Sequence, residues 1–599
     1  MTDFNKSKRL KFSEKRKIIS ENKKIKKKKK SKFSDKNTVS PSQKQLNSLL
    51  QCYQNGQLHD AEKLAISMTQ NFPEHQFGWK VLAVILKVTG RVSESLVANQ
   101  KSVQLNLQDP EAHNNLGGAL RELGRLHEAE ASCKQALLLN PGFYGAHTNL
   151  GTIFQSLGKI DEAEASYRKA IELKVDFPDA HNNLGLVLEQ SGNVVDAEAS
   201  YRKAIELKSD YAEAHNNLGN VLLTLEKLDG AEVSFRQAIK LKNAFASAHN
   251  NLGLTLQTLG RRDEAVASFR QAIVFKSNIA YVNLGSVLRE LGRPEDAEES
   301  YLKAISLNSS YAQAYFHLGI FLQELGRLEE AETRLRQAIA LNSDYAEAHS
   351  NLGGTLRALG QIDEAEASYR QAIAIEPESA EAKHFVAALS GETTNSPPRD
   401  YVEGLFDSYA ARFDTALVDS LEYKLPRRVA EISVKNNNGK SLGSVLDLGC
   451  GTGLVGLEVR KFCEYLEGVD LSNKMLDQAR GKNIYDKLTY RDIVDYLATE
   501  RLDFDYFISM DTFIYVGDLN AVFESIKSRN KSGGKLIFST ENTEKDGFFL
   551  ERSGRYSHSK QYIRSLCEKF DYKLCCLENI NLRKEGNQYI TGNLYLLDF

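Results

Sequence analysis

The chain has 599 residues, more than one hydrophobic core supports, so several domains are expected. Its hydrophobic fraction of 42% is ordinary for globular protein. No apolar run approaches the ~18 residues of a membrane span, and the N-terminus lacks the apolar stretch of a secretory signal. The seven cysteines are scattered, with no CxxC pair and no histidine-rich spacing. They argue against a disulfide framework or any metal site and for a reducing, cytoplasmic compartment.

The net charge of −2 conceals an asymmetry. Residues 1–40 hold 16 lysines and arginines against 4 acids, a surplus of 12 that leaves −14 for the remainder. Residues 1–42 are Lys-rich, with the run KKIKKKKK at 23–30 and few large apolar side chains, and read as a disordered basic tail. Such a tail is either an electrostatic arm for an anionic partner (nucleic acid, an anionic membrane or an acidic protein) or a solvated segment that aids solubility or touches the acidic body. No aromatic residues interleave with the lysines as base-stacking would require, which speaks against nucleic acid.

Residues 43–390 repeat themselves. AHNNLG begins at Ala112, Ala180, Ala214 and Ala248, and variants begin at Ala146, Ala280, Ala314 and Ala348. The spacing is 34 residues, falling to 32 between Ala248 and Ala280, which predicts a tightened turn there. Two degenerate units near Lys44 and Gly78 bring the total to about ten, followed by a cap at about 380–389. Each unit reads as two amphipathic helices broken by a glycine such as Gly124. One pair cannot bury its apolar stripe alone, so the units must stack into a solenoid.

This pattern resembles the tetratricopeptide repeat. Small residues (Gly117, Gly151, Gly185 and their successors; Ala129, Ala136) and aromatic residues (Tyr167, Tyr201, Phe235, Phe269, Tyr301, Tyr369) fall where that family places them. The family's inter-helix proline survives at Pro141 and Pro377. An asparagine stands two residues before the helix-A glycine at Asn115, Asn149, Asn183, Asn217, Asn251, Asn283 and Asn351, with His317 breaking the series. In this family helix A lines the concave groove, and the similar arrays attached to protein O-glycosyltransferases bind extended peptide backbone through such a ladder. A side-chain amide offers both donor and acceptor to a peptide group. The resemblance therefore implies an extended peptide or protein partner; the alternative is that these amides bridge adjacent helices. The histidines that accompany them recur at the repeat spacing, so they cannot converge on one ion and read as packing residues.

Residues 391–400, GETTNSPPRD, form a turn-rich linker. From 401 to 599 strand-like and helix-like segments alternate. The decisive stretch is SVLDLGCGTGLVGLEV, in which an apolar run ends at Asp447, a turn follows with Gly449, Gly451 and Gly453, and a helix begins near Leu454. Strand, glycine turn and helix form the nucleoside-binding corner of a doubly wound sheet.

The string DLGCGTG resembles the signature of class I S-adenosylmethionine-dependent methyltransferases. That resemblance implies an α/β Rossmann-like domain with a seven-stranded mixed sheet behind an all-α tetratricopeptide superhelix, and S-adenosylmethionine as cofactor. It casts Asp447, Gly449, Gly451, Gly453, Asp470 (ribose hydroxyls) and Asp492 (adenine amine) as cofactor-binding. Residues 401–417 resemble the family's lid helix, which would set Tyr409 and Phe413 on the methionine end; ordinary helix core is the alternative. The remaining strands are expected at 504–510, 535–540, 572–577 and 589–597. Strand order makes Asp511 and Tyr515 candidates for catalysis, with His558 a third. No NPPY-type tetrapeptide follows the fourth strand, which weakens a nucleic-acid amine acceptor. The whole resembles bacterial methyltransferases that carry such repeats. The reading is a methyltransferase whose repeats recruit a protein partner or substrate. The alternatives are a small-molecule methyltransferase with repeats used for assembly, or a non-catalytic repeat scaffold.

Overall fold

The computed structural model describes residues 40–410, 413–415, 424–585 and 588–599. The lysine run and nearly all of the basic tail lie outside the described residues. The chain divides into two compact units, one ending at Ala280 and the next beginning at Tyr281.

The first unit is helical throughout its described part, from Gln43–Gln54 and Leu58–Asn71 through repeated pairs such as Pro110–Glu122 with Leu126–Leu139 and Ala212–Thr224 with Leu228–Leu241. The pairing follows from complementary volumes at a fixed separation. A Cβ on Gly185 would stand 2.6 Å from the Tyr201 ring, and one on Gly219 would stand 2.5 Å from Phe235. Each large residue is thus seated against a helix backbone and is fully buried. Glycine at φ +72 ends helix A at Gly124, and its counterparts do the same; Glu226 adopts φ +57 at the equivalent position.

The recurring histidines hold the inter-repeat turns. His113, His147, His181, His215 and His249 each place Nε2 against the carbonyl oxygen six residues earlier, at 3.0–3.2 Å. The shortened spacing before Ala280 is absorbed by a 13-residue helix, Arg262–Val274, and a tight turn in which Lys276 takes φ +68.

The second unit opens with more helix pairs, ending in Ala346–Ala358 with Ile362–Ile375 and the cap Ala380–Ser390. An α/β domain follows. Its strands are β1 (Ser444–Leu448), β2 (Tyr465–Asp470), β3 (Lys487–Tyr490), β4 (Tyr506–Ser509), β5 (Lys535–Asn542), β6 (Phe548–Leu550), β7 (Tyr556–His558), β8 (Lys573–Glu585) and β9 (Gln588–Asp598). The first five run parallel in the order β3-β2-β1-β4-β5; antiparallel β9 pairs β5, and β8 pairs β9. The sheet among the described residues has nine strands rather than the expected seven, because β6 and β7 form a short hairpin attached through β7 to the end of β5.

That hairpin packs on the repeat cap. Ala387 and Ala388 share one buried apolar cluster with Leu550 and Tyr556. His384 Nε2 donates to Gly554 O at 2.9 Å, and the Asp518 amide donates to Asn395 O at 2.9 Å. Among the described residues no helix is long and apolar enough to cross a membrane.

The volume argument gives a paired expectation. Gly→Ala in an open helix gains about 0.5–1 kcal/mol. Gly404→Ala should show that gain, since its Cβ would meet nothing within 4 Å. Gly219→Ala should instead lose about 1–3 kcal/mol by overpacking against Phe235. Urea unfolding followed by circular dichroism measures both, and equal gains at the two sites would contradict the packing.

Candidate active site

The parallel register Leu448↔Val469 aligns the ends of β1 and β2. The turn after β1 is held across this pair: Gly449 and Cys450 amides donate to Val469 O at 2.8 and 3.1 Å. Gly449, Gly451 and Gly453 take φ of +72, +53 and +91, a region that disfavours any side chain. A Cβ on Gly451 would meet only Phe413, at 3.8 Å, so the backbone there faces open space.

Asp470, at the end of β2, ties the corner together. One carboxylate oxygen accepts from the Gly451 amide and the other from the Ser472 amide, each at 2.8 Å. Burial pushes its carboxyl up to about 6, against the pull of those amides. Ser472 in turn caps the Asn473–Gly481 helix through Met475 N and donates to Asp407 at 2.5 Å. Asp492 follows β3 and caps helix Ile493–Thr499, accepting from the Val494 and Asp495 amides at 2.9 and 3.1 Å.

These residues border a cavity of about 420 Å³. Gly449, Gly451, Asp470, Asp492, Tyr409 and Phe413 line it, as do Asp511 and Tyr515 from the end of β4. The expected residues therefore meet, with three exceptions. Gly453 is off the lining and abuts Tyr485 instead. Asp447 sits beneath the turn, 1% exposed, and accepts a hydrogen bond from Tyr485 OH at 2.7 Å. It braces the corner from below because its side chain points away from the cavity. Burial raises its carboxyl to about 7.

His558 is the third correction. It lies on β7, fully buried, with Nε2 against Gly517 O at 2.8 Å, and it does not line the cavity. Burial pushes its imidazole down to about 4, so it is a neutral structural residue and no base for the cavity.

The asparagine series is also resolved in part. Asn149 Nδ2 donates to Asn114 Oδ1 at 2.8 Å, Asn217 to Asn182 at 3.1 Å, and Asn251 to Asn216 at 3.4 Å and Asn220 at 2.8 Å. In each of these rungs the acceptors include the asparagine that precedes the earlier rung: Asn114, Asn182 and Asn216. Asn351 bonds back to Glu347 O at 2.8 Å. His317 stacks on Tyr301, and burial lowers its imidazole. Asn115, Asn183 and Asn283 are half-buried on the same helix face.

A buried charge network was not foreseen. Asp511 adopts φ +56, unusual for a residue with a side chain, and its amide donates to Ser539 Oγ at 2.9 Å. Its carboxylate pairs with Arg583 at 2.5 Å. Arg583, 5% exposed, also pairs with Glu541, which accepts from Arg555 at 2.9 Å. Arg583 turns inward because the β8–β9 register slips between Asn581 and Arg583, a bulge that buries two successive residues. Burial raises the Tyr515 phenol, whose ring meets Phe406 edge-on at 5.1 Å. Arg357, from the last complete repeat, also lines the cavity.

Among the described residues no group of three or more His, Cys, Asp or Glu could hold a metal ion.

Asp447 supplies a pH-dependent test. Folded, it keeps its proton between roughly pH 4 and pH 7, where an unfolded carboxyl has lost it. Its contribution to stability therefore falls as pH rises through that window and is flat above it. Asp447→Asn keeps an acceptor for Tyr485 without the charge. Thermal unfolding across this range should show the wild type losing several degrees relative to the variant, and parallel curves would refute the buried acid.

Family models match both parts of the chain. A family model described as a methyltransferase domain matches residues 440–592. Tetratricopeptide-repeat models match 110–143, 151–192, 190–226, 212–245, 246–275, 277–344 and 310–378. Ubiquinone biosynthesis O-methyltransferase of Bordetella avium is 34% identical over 110 residues, covering 18% of this chain and 46% of the relative. The enzyme of that name from Coxiella burnetii is 31% identical over 101 residues, covering 16% and 43%. The chain thus spans less than half the length of these curated relatives. Among solved structures, YrrB, a repeat protein with an unusual peptide-binding site, is 26% identical with a TM-score of 0.25, covering 31% of this chain and 96% of that one. A tetratricopeptide repeat protein from Parabacteroides merdae is 21% identical with a TM-score of 0.36, covering 41% and 98%. The chain joins tetratricopeptide repeats to a C-terminal methyltransferase domain.

Proposed function

We propose that the protein is an S-adenosylmethionine-dependent methyltransferase, with a catalytic domain over residues 401–599 and a repeat region over 43–390 that recruits a protein partner or substrate. The observation that carries the reading is the cavity in which a bare glycine backbone, Asp470 and Asp492 meet. The residues fit the cofactor. Gly451 permits close approach, Gly449 makes room for Thr512 beside it, Asp470 retains lone pairs for ribose hydroxyls, and Asp492 for the adenine amine. Bound there, S-adenosylmethionine supplies a methyl carbon activated by its sulfonium.

The chain's own part is placement and exclusion of water. Tyr409 and Phe413 cover the cofactor's methionine end. Tyr515, its phenol raised by burial, is a hydrogen-bond donor at neutral pH. Asp511, fixed by Arg583, orients the acceptor rather than roaming as a base. Within the first unit the half-buried asparagines Asn115 and Asn183, with the outer faces of the bridging rungs, offer a surface to an extended peptide; in the second unit Asn283 and Asn351 are the corresponding candidates. The basic residues 1–42 offer charge to an anionic partner.

A second reading, a small-molecule acceptor, is favoured by the cavity's size and aromatic walls.

Calorimetry on the full chain tests the cofactor assignment. S-Adenosylmethionine should bind, and Asp470→Ala should weaken it about 10–100-fold through lost hydrogen bonds to a charged group. No binding by the wild type would end the proposal. Methyl-label transfer into a lysate, before and after protease treatment, then separates the acceptors: protease-sensitive label supports recruitment, and label in small metabolites supports the second reading.

A further inference from the structure

We infer that Arg357, carried by the last complete repeat, recognises a carboxylate on the methyl acceptor; the inference rests on the cofactor reading above. Arg357 stands at the end of helix Ala346–Ala358 and lines the cavity beside Tyr401, Ser553 and Arg555. A residue of the repeat array therefore forms part of the wall of the catalytic cavity.

Its surroundings leave a cation in want of an anion. One guanidinium nitrogen donates to the carbonyl oxygens of Arg552 and Ser553, both at 3.2 Å, and the group lies 4.5 Å over the Phe385 ring. These contacts fix its plane. Its Nε is buried and has no hydrogen-bond partner in the protein. At the equivalent place two repeats earlier, Arg289 reaches Glu324 of the repeat that follows it at 3.7 Å. The array ends after Arg357, and among the described residues no carboxylate lies within ion-pair distance of it. Burial pushes the Glu381 carboxyl up against the downward pull of the Arg357 charge, but Glu381 makes no ion pair with Arg357. The other two guanidiniums of the cavity are matched, Arg583 by Asp511 and Glu541, and Arg555 by Glu541.

Strand order separates this end from the adenosyl end. Asp470 and Asp492 follow β2 and β3, on one flank of the sheet. Ser553 and Arg555 belong to the β6–β7 hairpin, attached beyond β5 on the other. Between them Phe406, Tyr515 and Tyr401 give apolar, ring-shaped walls. A planar apolar body bearing a carboxylate satisfies both features, because a fixed guanidinium favours a carboxylate over a neutral amide of the same shape.

The cofactor carries a carboxylate too, so the experiment must separate the two sources. The full chain is first titrated with S-adenosylhomocysteine and with 5′-methylthioadenosine, which lacks the amino-acid carboxylate. Failure of the wild type to bind S-adenosylhomocysteine would defeat the cofactor reading itself. The S-adenosylhomocysteine-loaded chain is then titrated with benzoate and with benzamide. The wild type should prefer benzoate at least tenfold, Arg357→Met should abolish the preference while keeping S-adenosylhomocysteine affinity, and Arg357→Lys should keep part of it. Equal binding of the two probes, binding of neither, or a preference that survives Arg357→Met would overturn the inference. So would an Arg357→Met variant that loses affinity for S-adenosylhomocysteine but not for 5′-methylthioadenosine, since Arg357 would then hold the cofactor's carboxylate.

Discussion

One buried carboxylate organises the α/β domain of this protein. Asp470 accepts the Gly451 amide with one oxygen and the Ser472 amide with the other, so a single side chain fixes the glycine turn after β1 relative to the helix that follows β2. Ser472 carries the restraint outward to Asp407 on the Arg399–Tyr409 helix. The Arg399–Tyr409 helix, the end of β2 and the glycine turn that borders the cavity are therefore linked through one acid. Taking that carboxylate out of water is costly, which is why burial raises its carboxyl, and the two amides offset the cost in part.

The second organising contact is the seat of the β6–β7 hairpin on the repeat cap. Ala387 and Ala388 leave room for Leu550 and Tyr556, and Gly554 admits Phe385, whose ring a Cβ there would meet at 2.7 Å. The hairpin also brings Arg555 to the buried charge network and Ser553 to Arg357. The repeats are thus part of the cavity's construction within the second unit, beyond any role as a separate binding surface.

The repeats were legible in the sequence because stacking imposes a period: the same glycine and the same aromatic residue must recur sixteen positions apart, as Gly219 and Phe235 do. The first four parallel strands were legible because a glycine or an acid stands at or within two residues of each end: Gly449 after β1, Asp470 ending β2, Asp492 after β3 and Asp511 after β4. What stayed hidden depends on side-chain direction and on irregularity. Asp447 belongs to a strand buried on both faces, so pattern alone could not say that it points to Tyr485 instead of the cavity. His558 lies in a three-residue strand too short to carry an alternating signal. Arg583 reaches the cavity only through a register slip, and Arg357 only through contacts distant in sequence. The asparagine series was visible, but its inter-repeat bonds required neighbouring helices to be in place.

The most direct test of the account is a crystal structure of the full chain with S-adenosylhomocysteine. The account predicts the ribose hydroxyls on Asp470, the adenine beside Asp492 and the sulfur directed toward Asp511 and Tyr515. A ligand bound elsewhere, or an adenosyl group turned away from Asp470, would contradict it.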